Sequence, residues 1–198
     1  MSGTDALGYF ASAVFLVRLL PQPIRLARDG RPAGVSALAA LNAVVSAFAW
    51  TAYGLIAGLP VVWVVSILAL IPGIWQAFLL RRELTRRDLV WASAYVAALS
   101  VAYAAGLLGA ALAGTVLVTA GPQLYQALTE TDLSGLAPNT WRIALLDAAS
   151  WGLYGLALGD FALLGYFVVL TASAAIILIR IRQTRAAAAA AAATPADV

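Results

Sequence analysis

The length of its uncharged stretches most constrains how this chain can fold. Residues 89–128 include no aspartate, glutamate, lysine or arginine. As a single helix that rises about 1.5 Å per residue, this stretch would extend about 60 Å, whereas the hydrocarbon core of a bilayer is about 30 Å thick. We therefore predict a hairpin of two transmembrane helices. Its turn is expected at residues 106–109, because Gly106 and Gly109 tolerate the backbone angles of a tight reversal.

The composition agrees with a chain that lies in lipid. Of its 198 residues, 63% are hydrophobic and 11% are charged, whereas roughly 25% of the residues of an average soluble domain are charged. A soluble domain needs a polar exterior, which so few charges do not supply. The sequence therefore predicts an integral membrane protein, and its expected location is the bacterial plasma membrane.

Charged residues divide the chain into apolar runs of about the length that crosses a bilayer. We predict an all-α membrane protein with seven transmembrane helices, at residues 7–20, 35–57, 59–80, 89–108, 109–128, 141–158 and 161–179. A removable signal peptide is not expected, because no basic cluster precedes the first run and no small-residue cleavage site follows it.

The cationic side chains, all of them arginines, predict the orientation. An external N-terminus places Arg142 and the arginine clusters that follow the first, third and seventh spans on the cytoplasmic side, where loops rich in Lys and Arg remain. The C-terminus is then cytoplasmic. Arg18, at the inner end of the first span, is expected to extend its guanidinium to the membrane surface. Because the arginines form no single basic tract, nucleic acid is not an expected partner.

The residue types that are missing exclude most catalytic and redox chemistry. The chain has no cysteine and no histidine, so disulfides, thiol nucleophiles, imidazole bases and the common zinc and haem ligands are excluded. The sequence also shows no paired carboxylates, serine elbow or metal-ligand cluster. We therefore expect no enzyme activity, no cofactor and no metal site.

A repeated pattern relates the two halves of the sequence. Pro21-Gln22 recurs as Pro122-Gln123, an offset of 101 residues. The same offset relates a Trp-x-x-Tyr-Gly-Leu motif to its second copy, which starts 101 residues later at Trp151. Two motifs repeated at one offset without gaps indicate an internal duplication.

Each repeat contains three spans, and the fourth span lies between the repeats. We predict a first three-helix repeat at residues 1–83, a linker transmembrane helix at 84–108, a second three-helix repeat at 109–182 and a disordered alanine-rich tail at 183–198. Because a single linker span joins the two three-span repeats, the repeats have the same orientation in the membrane. Together they form a 3+1+3 arrangement. Parallel repeats of this kind place a solute site between them near the midplane.

These motifs carry a resemblance to a known family. Pro-Gln near the inner end of a helix, then a short glycine and serine loop (Gly34 to Ser36; Ser134-Gly135), then Trp-x-x-Tyr-Gly, resembles the PQ-loop superfamily, which includes the SWEET and SemiSWEET sugar transporters. The resemblance covers about residues 7–180 and implies transport of a small solute by alternating access. It also implies hinges at the two Pro-Gln pairs, whereas static kinks are the common role of prolines in membrane helices.

The resemblance also implies residues that bind the solute. In sugar-transporting members, a tryptophan on the second helix of each half and an asparagine sixteen positions later line the sugar. Trp50 and Trp151 match the tryptophans, while Ser66 and Phe167 stand at the asparagine positions. Because each sugar hydroxyl left without a partner costs roughly 1–3 kcal/mol, a less polyhydroxylated solute is equally consistent. Anchoring at the membrane interface is the alternative role for the tryptophans.

Asp147 is the one acid that the predicted spans place near the bilayer midplane. Burial there costs at least about 2.5–3.5 kcal/mol, and such acids usually face a cavity or a partner. The offset places Ser46 opposite Asp147, with Asn42 one helical turn from Ser46. We predict that these three residues line a shared cavity, where Asp147 binds the solute or a proton. A protonated Asp147 that joins helices is the alternative, and a salt bridge to Arg142 is not expected.

The sequence thus predicts a SWEET-like transporter of a sugar or of another small neutral or cationic metabolite. The alternative from another class is a non-transporting receptor or assembly factor on the same scaffold. The expected partners are the solute and the lipid bilayer, and assembly into a homo-oligomer is left open.

Overall fold

A computed structural model describes residues 2–193, with side chains as far as residue 189. Within this range the chain forms eight α-helices and no strand. They are α1 (Gly3–Leu19), α2 (Pro21–Asp29), α3 (Ala37–Ile56), α4 (Pro60–Leu79), α5 (Arg86–Ala104), α6 (Leu108–Thr129), α7 (Pro138–Leu158) and α8 (Phe161–Ala193). Each predicted span corresponds to one helix, except that the first helix continues beyond Leu20 as α2.

Five helical segments are long and apolar enough to cross a membrane, as an integral membrane protein requires. They are Gly3–Asp29, Ala37–Ile56, Pro60–Leu79, Leu108–Thr129 and Phe161–Ala189. The other two predicted spans, in α5 and α7, are also helical but more polar. Three charged residues begin α5, and α7 contains Arg142 and Asp147.

Local sequence explains where several helices begin. The side chains of Ser36 and Thr85 accept hydrogen bonds from backbone N–H groups in the first turns of α3 and α5, which satisfies donors that a helix leaves unpaired. Proline occupies the first position of α2, α4 and α7, where its missing N–H has no cost. The predicted hairpin between α5 and α6 is confirmed, since Gly106 turns there with a φ of 71°.

The predicted disorder of residues 183–198 is wrong for the described part of that segment. Helix α8 continues to Ala193, because alanine has the highest helix propensity of all residues. Residues 194–198 lie outside the described part of the chain.

Helices from the two halves of the sequence pack against each other in an exchanged pattern. Helix α1 packs on α7, and α6 packs on α3. At the α1–α7 contact, a Cβ added to Gly8 would lie 2.9 Å from the ring of Tyr154, and at the α6–α3 contact, a Cβ added to Gly109 would lie 2.9 Å from the ring of Tyr53. Both glycines and both tyrosines are related by the offset of 101 residues, so the repeats make the same contact with the partners exchanged.

The two glutamines of the Pro-Gln pairs make a second exchanged contact. Gln22 donates a hydrogen bond to the Gly135 carbonyl oxygen (3.1 Å) and accepts one from the backbone N–H of Ala137 (2.8 Å). Gln123 donates to the Gly34 carbonyl oxygen (2.6 Å) and accepts from the backbone N–H of Ser36 (2.8 Å). Each buried side-chain amide therefore forms hydrogen bonds with backbone groups of a loop in the other half. Gln22 binds the loop before α7, and Gln123 binds the loop before α3.

These loops, residues 30–36 and 130–137, meet at what we name the Gln end of the bundle. The backbone N–H of Gly135 donates to the Ala33 carbonyl oxygen (3.1 Å). A Cβ on Gly135 would collide with the carbonyl oxygens of Arg31 and Ala33. The turns at residues 57–59, 105–107 and 159–160 form the opposite end, which we name the Tyr53 end.

Helix α5 lies at the edge of the bundle. It packs on α3 and on α6, and only three of its residues are buried. The described chain has no matching helix at the equivalent contact between α1 and α7.

We expect Gly135→Ala to lower the free energy of unfolding by about 1–3 kcal/mol, because the added methyl group displaces the two loops. The matched control is Gly114→Ala, where nothing lies within 4 Å of an added Cβ. Since alanine favours a helix over glycine, this control should unfold at the same temperature as the parent chain or slightly higher. Thermal unfolding in detergent, followed by circular dichroism, measures both, and equal unfolding temperatures would contradict the close contact of the loops.

Candidate functional site

A cavity of about 210 Å³ lies among helices from both halves of the chain. Side chains of α1 to α4 and of α6 to α8 line it. Its polar lining comes mainly from the side chains of Arg18, Gln22, Ser46, Ser66, Gln76, Thr119, Gln123, Thr140 and Tyr166. The remaining wall is largely aromatic and aliphatic. Small-molecule sites typically combine such apolar walls with a few placed polar groups.

Most of the predicted site residues lie on the wall of this cavity. Trp50, Trp151, Ser46 and Ser66 line it, and so do both glutamines of the Pro-Gln pairs. Three predicted binding residues, Asn42, Asp147 and Phe167, are not on the wall, and neither are the two prolines.

Aromatic rings line the cavity toward the Tyr53 end. Trp50 packs edge-to-face on Tyr166 with ring centroids 6.2 Å apart, and Trp151 packs on Phe15 at 6.5 Å. Each tryptophan also packs on the tyrosine three positions later, with centroids 5.7 Å apart in both repeats. Trp151 belongs to a buried core that includes Ala11 and Leu163, and Trp50 packs against it.

Contacts beyond this aromatic layer hold the Tyr53 end together. The Tyr53 hydroxyl donates a hydrogen bond to Asp160 Oδ2 (2.6 Å). Asp160 Oδ1 accepts from the backbone N–H groups of Ala162 and Leu163, at 2.9 and 3.1 Å. Asp160 thus joins α3 to the start of α8.

Phe167 packs between helices and not into the cavity. A Cβ added to Gly152 would lie 2.7 Å from Phe167 Cγ, so the missing side chain of this glycine makes room for the phenylalanine ring. Ser66, at the equivalent position of the first repeat, is buried at the cavity wall, and its hydroxyl donates to the Val62 carbonyl oxygen (2.8 Å). Position 16 after the tryptophan therefore differs in role between the repeats.

Asn42 compensates for Pro122. Proline has no backbone N–H, so the carbonyl four residues earlier in the helix, that of Val118, lacks its usual donor. Asn42 Nδ2 donates to this carbonyl oxygen from α3 (3.0 Å). The Asn42 side chain is buried and serves the helix backbone, which the sequence pattern did not indicate.

The two prolines have different local consequences. The first helix is interrupted at Leu20, directly before Pro21, whereas α6 continues through Pro122 to Thr129. The residue equivalent to Asn42 in the second half is Ile143, whose side chain has no donor for the carbonyl that Pro21 leaves unpaired. The two equivalent prolines therefore differ in their effect on the continuity of the helix.

Asp147 forms a buried cluster with Arg18 and Tyr166, which we name the ionic cluster. Arg18 Nε lies 2.9 Å from Asp147 Oδ2. The Tyr166 hydroxyl donates to the same oxygen (2.6 Å) and accepts from Arg18 Nη2 (3.1 Å). The Asp147 side chain is fully buried, whereas that of Arg18 is 14% exposed and reaches the cavity.

The ionic cluster corrects one sequence prediction and agrees with another. Arg18 does not extend to the membrane surface but pairs with Asp147, because a buried carboxylate requires a partner and the guanidinium supplies one. Arg142 instead donates to Asn139 Oδ1 (3.0 Å), as expected for a residue that lies off the Asp147 face. An arginine within an apolar run was the available signal for this pair, while no sequence signal related Tyr166 to it.

The ionic cluster has no counterpart at the positions related to it by the offset. At the offset of 101 residues, Arg18 corresponds to Thr119, Asp147 to Ser46 and Tyr166 to Val65. The cavity is therefore polar and charged on the side of Arg18, and uncharged on the equivalent side. A cavity with this asymmetry can hold a solute in one orientation.

No family model, curated protein or solved structure matches this chain. The site is therefore described by its geometry alone, as a partly open cavity with a few polar groups on a largely apolar wall.

We expect Arg18→Met and Asp147→Leu to be strongly coupled. Each single substitution leaves an unpaired buried charge, which costs about 3–5 kcal/mol, whereas removal of both charges costs much less. The double variant should therefore be more stable than either single variant. Thermal unfolding of the four chains in detergent gives the coupling.

The equivalent pair in the other half provides the control for this cycle. Thr119→Val and Ser46→Ala remove no charge, so their effects should add to within about 0.5 kcal/mol. Additive effects at Arg18 and Asp147 as well would contradict the ion pair.

Proposed function

We propose that this protein is a transporter that moves a small solute across a membrane by alternating access. The observation that carries the proposal is the cavity between the repeats, which both repeated tryptophans line. Conformational change, and not catalysis, is the proposed activity, and it requires no cofactor.

We propose the 3+1+3 arrangement as the framework of this transporter. The first repeat consists of α1 to α4, the linker is α5, and the second repeat consists of α6 to α8. The exchanged contacts of Gly8 with Tyr154 and of Gly109 with Tyr53 support equivalent, parallel repeats. Parallel repeats in transporters place the solute between them, where this chain has its cavity.

Alternating access requires that one end of the cavity opens while the other closes. In this structure the aromatic layer and the Tyr53–Asp160 hydrogen bond join helices at the Tyr53 end. Opening that end would separate these contacts and would bend α1 and α6. The interruption at Leu20 supports a hinge at Pro21 and Gln22, and the N–H that Pro122 lacks weakens α6 at the equivalent place, beside Gln123.

We expect the purified chain in proteoliposomes to exchange a small labelled solute at a saturable rate. A panel of labelled sugars, organic acids and amino acids supplies the candidate solutes. The loss of a large ring from a buried wall costs several kcal/mol of packing free energy. Trp151→Ala should therefore reduce the rate of solute exchange at least about tenfold. The matched control, Trp91→Ala, alters a tryptophan on α5 that is 56% exposed, and it should leave the rate unchanged.

Two outcomes of this experiment would contradict the proposal. Saturable binding without exchange indicates the receptor or assembly factor that the sequence also allows. Equal losses in Trp151→Ala and Trp91→Ala would show that the cavity is not the path of the solute.

We further propose that the Tyr53 end is external and that the Gln end is cytoplasmic, in a bacterial plasma membrane. Apart from Arg18, the arginines all lie toward the Gln end, which the positive-inside rule places in the cytoplasm.

The absence of cysteine from the chain makes this orientation directly testable. Leu107→Cys introduces an exposed thiol into the turn between α5 and α6, and Glu83→Cys introduces one into the turn between α4 and α5. An impermeant maleimide should label the first in intact cells and the second only after permeabilisation, while the parent chain gives no label. The opposite pattern would reverse the orientation.

A further inference from the structure

Arg18 is the one charged residue among the described residues that line the cavity. Asp147, which pairs with it, is fully buried behind the wall. A solute in the cavity therefore meets a guanidinium group and meets no carboxylate. The ion pair is neutral as a whole, but its positive partner is the one that faces the cavity.

The donors of Arg18 are only partly used. Its guanidinium carries five N–H groups. Nη2 donates to the Tyr166 hydroxyl, and Nε lies 2.9 Å from Asp147 Oδ2 without donating a hydrogen bond to it. No described residue accepts a hydrogen bond from Nη1. The second edge of the guanidinium, formed by Nη1 and Nη2, thus retains two N–H groups in the parallel geometry that matches the two oxygens of a carboxylate.

Another donor on the wall also lacks an acceptor. The indole Nε1 of Trp141 is buried without a hydrogen-bond partner, in a side chain that lines the cavity. An indole N–H only donates, and no described residue accepts a hydrogen bond from this one. The hydroxyls of Ser66 and Thr119 already donate to backbone carbonyls of their own helices.

We propose that the solute of this cavity is a small carboxylate, held at its carboxyl group by the Nη1–Nη2 edge of Arg18. This inference rests on the proposed function for its assumption that the cavity holds the solute. The aromatic walls contributed by Phe15, Trp50 and Trp151 contact the hydrocarbon part of the molecule. Asp147 and Tyr166 act as positioning residues, because their contacts with Nε and Nη2 fix the guanidinium.

Matched carboxylates and amides test the proposal. The probes are benzoate with benzamide and butyrate with butyramide, at constant pH and ionic strength. They are added to the full chain in detergent, and binding is measured by tryptophan fluorescence and by isothermal titration calorimetry. Each pair has the same shape and differs in charge, so we expect each carboxylate to bind at least tenfold more tightly than its amide.

The double variant Arg18→Gln/Asp147→Asn separates this preference from folding. It removes both charges together, and each new side chain still forms hydrogen bonds. The carboxylate preference should fall below twofold, while the affinity for the amides stays within twofold of the parent value. Arg182→Gln, which alters an exposed arginine on α8 outside the cavity, is the matched control and should retain the full preference.

Arg18→Lys provides a second variant in case the double variant does not fold. It keeps a positive charge beside Asp147 but lacks the planar edge, so benzoate should bind at least fivefold more weakly while benzamide binds as before. Equal binding of carboxylates and amides to the parent chain overturns the proposal. A preference as large as that of the parent chain in either Arg18 variant overturns it as well.

Binding and flux distinguish this inference from the proposed function. Binding of carboxylates that depends on Arg18, without exchange in proteoliposomes, contradicts transport and retains the carboxylate site. Exchange of uncharged solutes without a carboxylate preference contradicts the carboxylate site and retains transport.

Discussion

The reciprocal hydrogen bonds of Gln22 and Gln123 are the interaction on which the rest of this structure depends. Gln22 lies on α2 and pairs a carbonyl and an N–H of the loop before α7. Gln123 lies on α6 and pairs a carbonyl and an N–H of the loop before α3. Four backbone groups that would otherwise be buried without partners are satisfied in this way, each of which would cost about 1–3 kcal/mol. The position of α3 and α7, and with them the two tryptophans, follows from these bonds.

Departures from symmetry then give the cavity its chemistry. The repeats agree at their glutamines, glycines, tryptophans and tyrosines, which set the backbone framework. They differ at the ionic cluster, at the sixteenth position after each tryptophan and at the residue that faces the proline of the other half. The equivalent residues thus set the framework, and the differences between the halves place the one charged side chain, Arg18, on one side of the cavity.

The sequence predicted the framework well because the framework depends on local properties. Apolar runs and their glycine turns located most helix ends to within a few residues, although α8 continues well past its predicted end at residue 179. The offset of 101 residues identified which positions are equivalent. The partners of buried polar groups were harder to predict. Asn42 was expected to bind the solute on the basis of its helix face, but the carbonyl that it pairs lies on another helix. The pair of Arg18 with Asp147 likewise depends on how α1 and α7 are rotated against each other, which no motif encodes.

The exchanged glutamine bonds have a consequence for how the chain is assembled. They join residues 87 to 115 positions apart. The loop at residues 34–36 therefore has no hydrogen-bond partner until Gln123 has been synthesised. Until then its carbonyl and N–H groups must remain in contact with water at the membrane surface, since lipid offers them no partner. Helices α1 to α4 can enter the bilayer as they emerge from the ribosome. Their final packing is completed only after the last third of the chain has been synthesised.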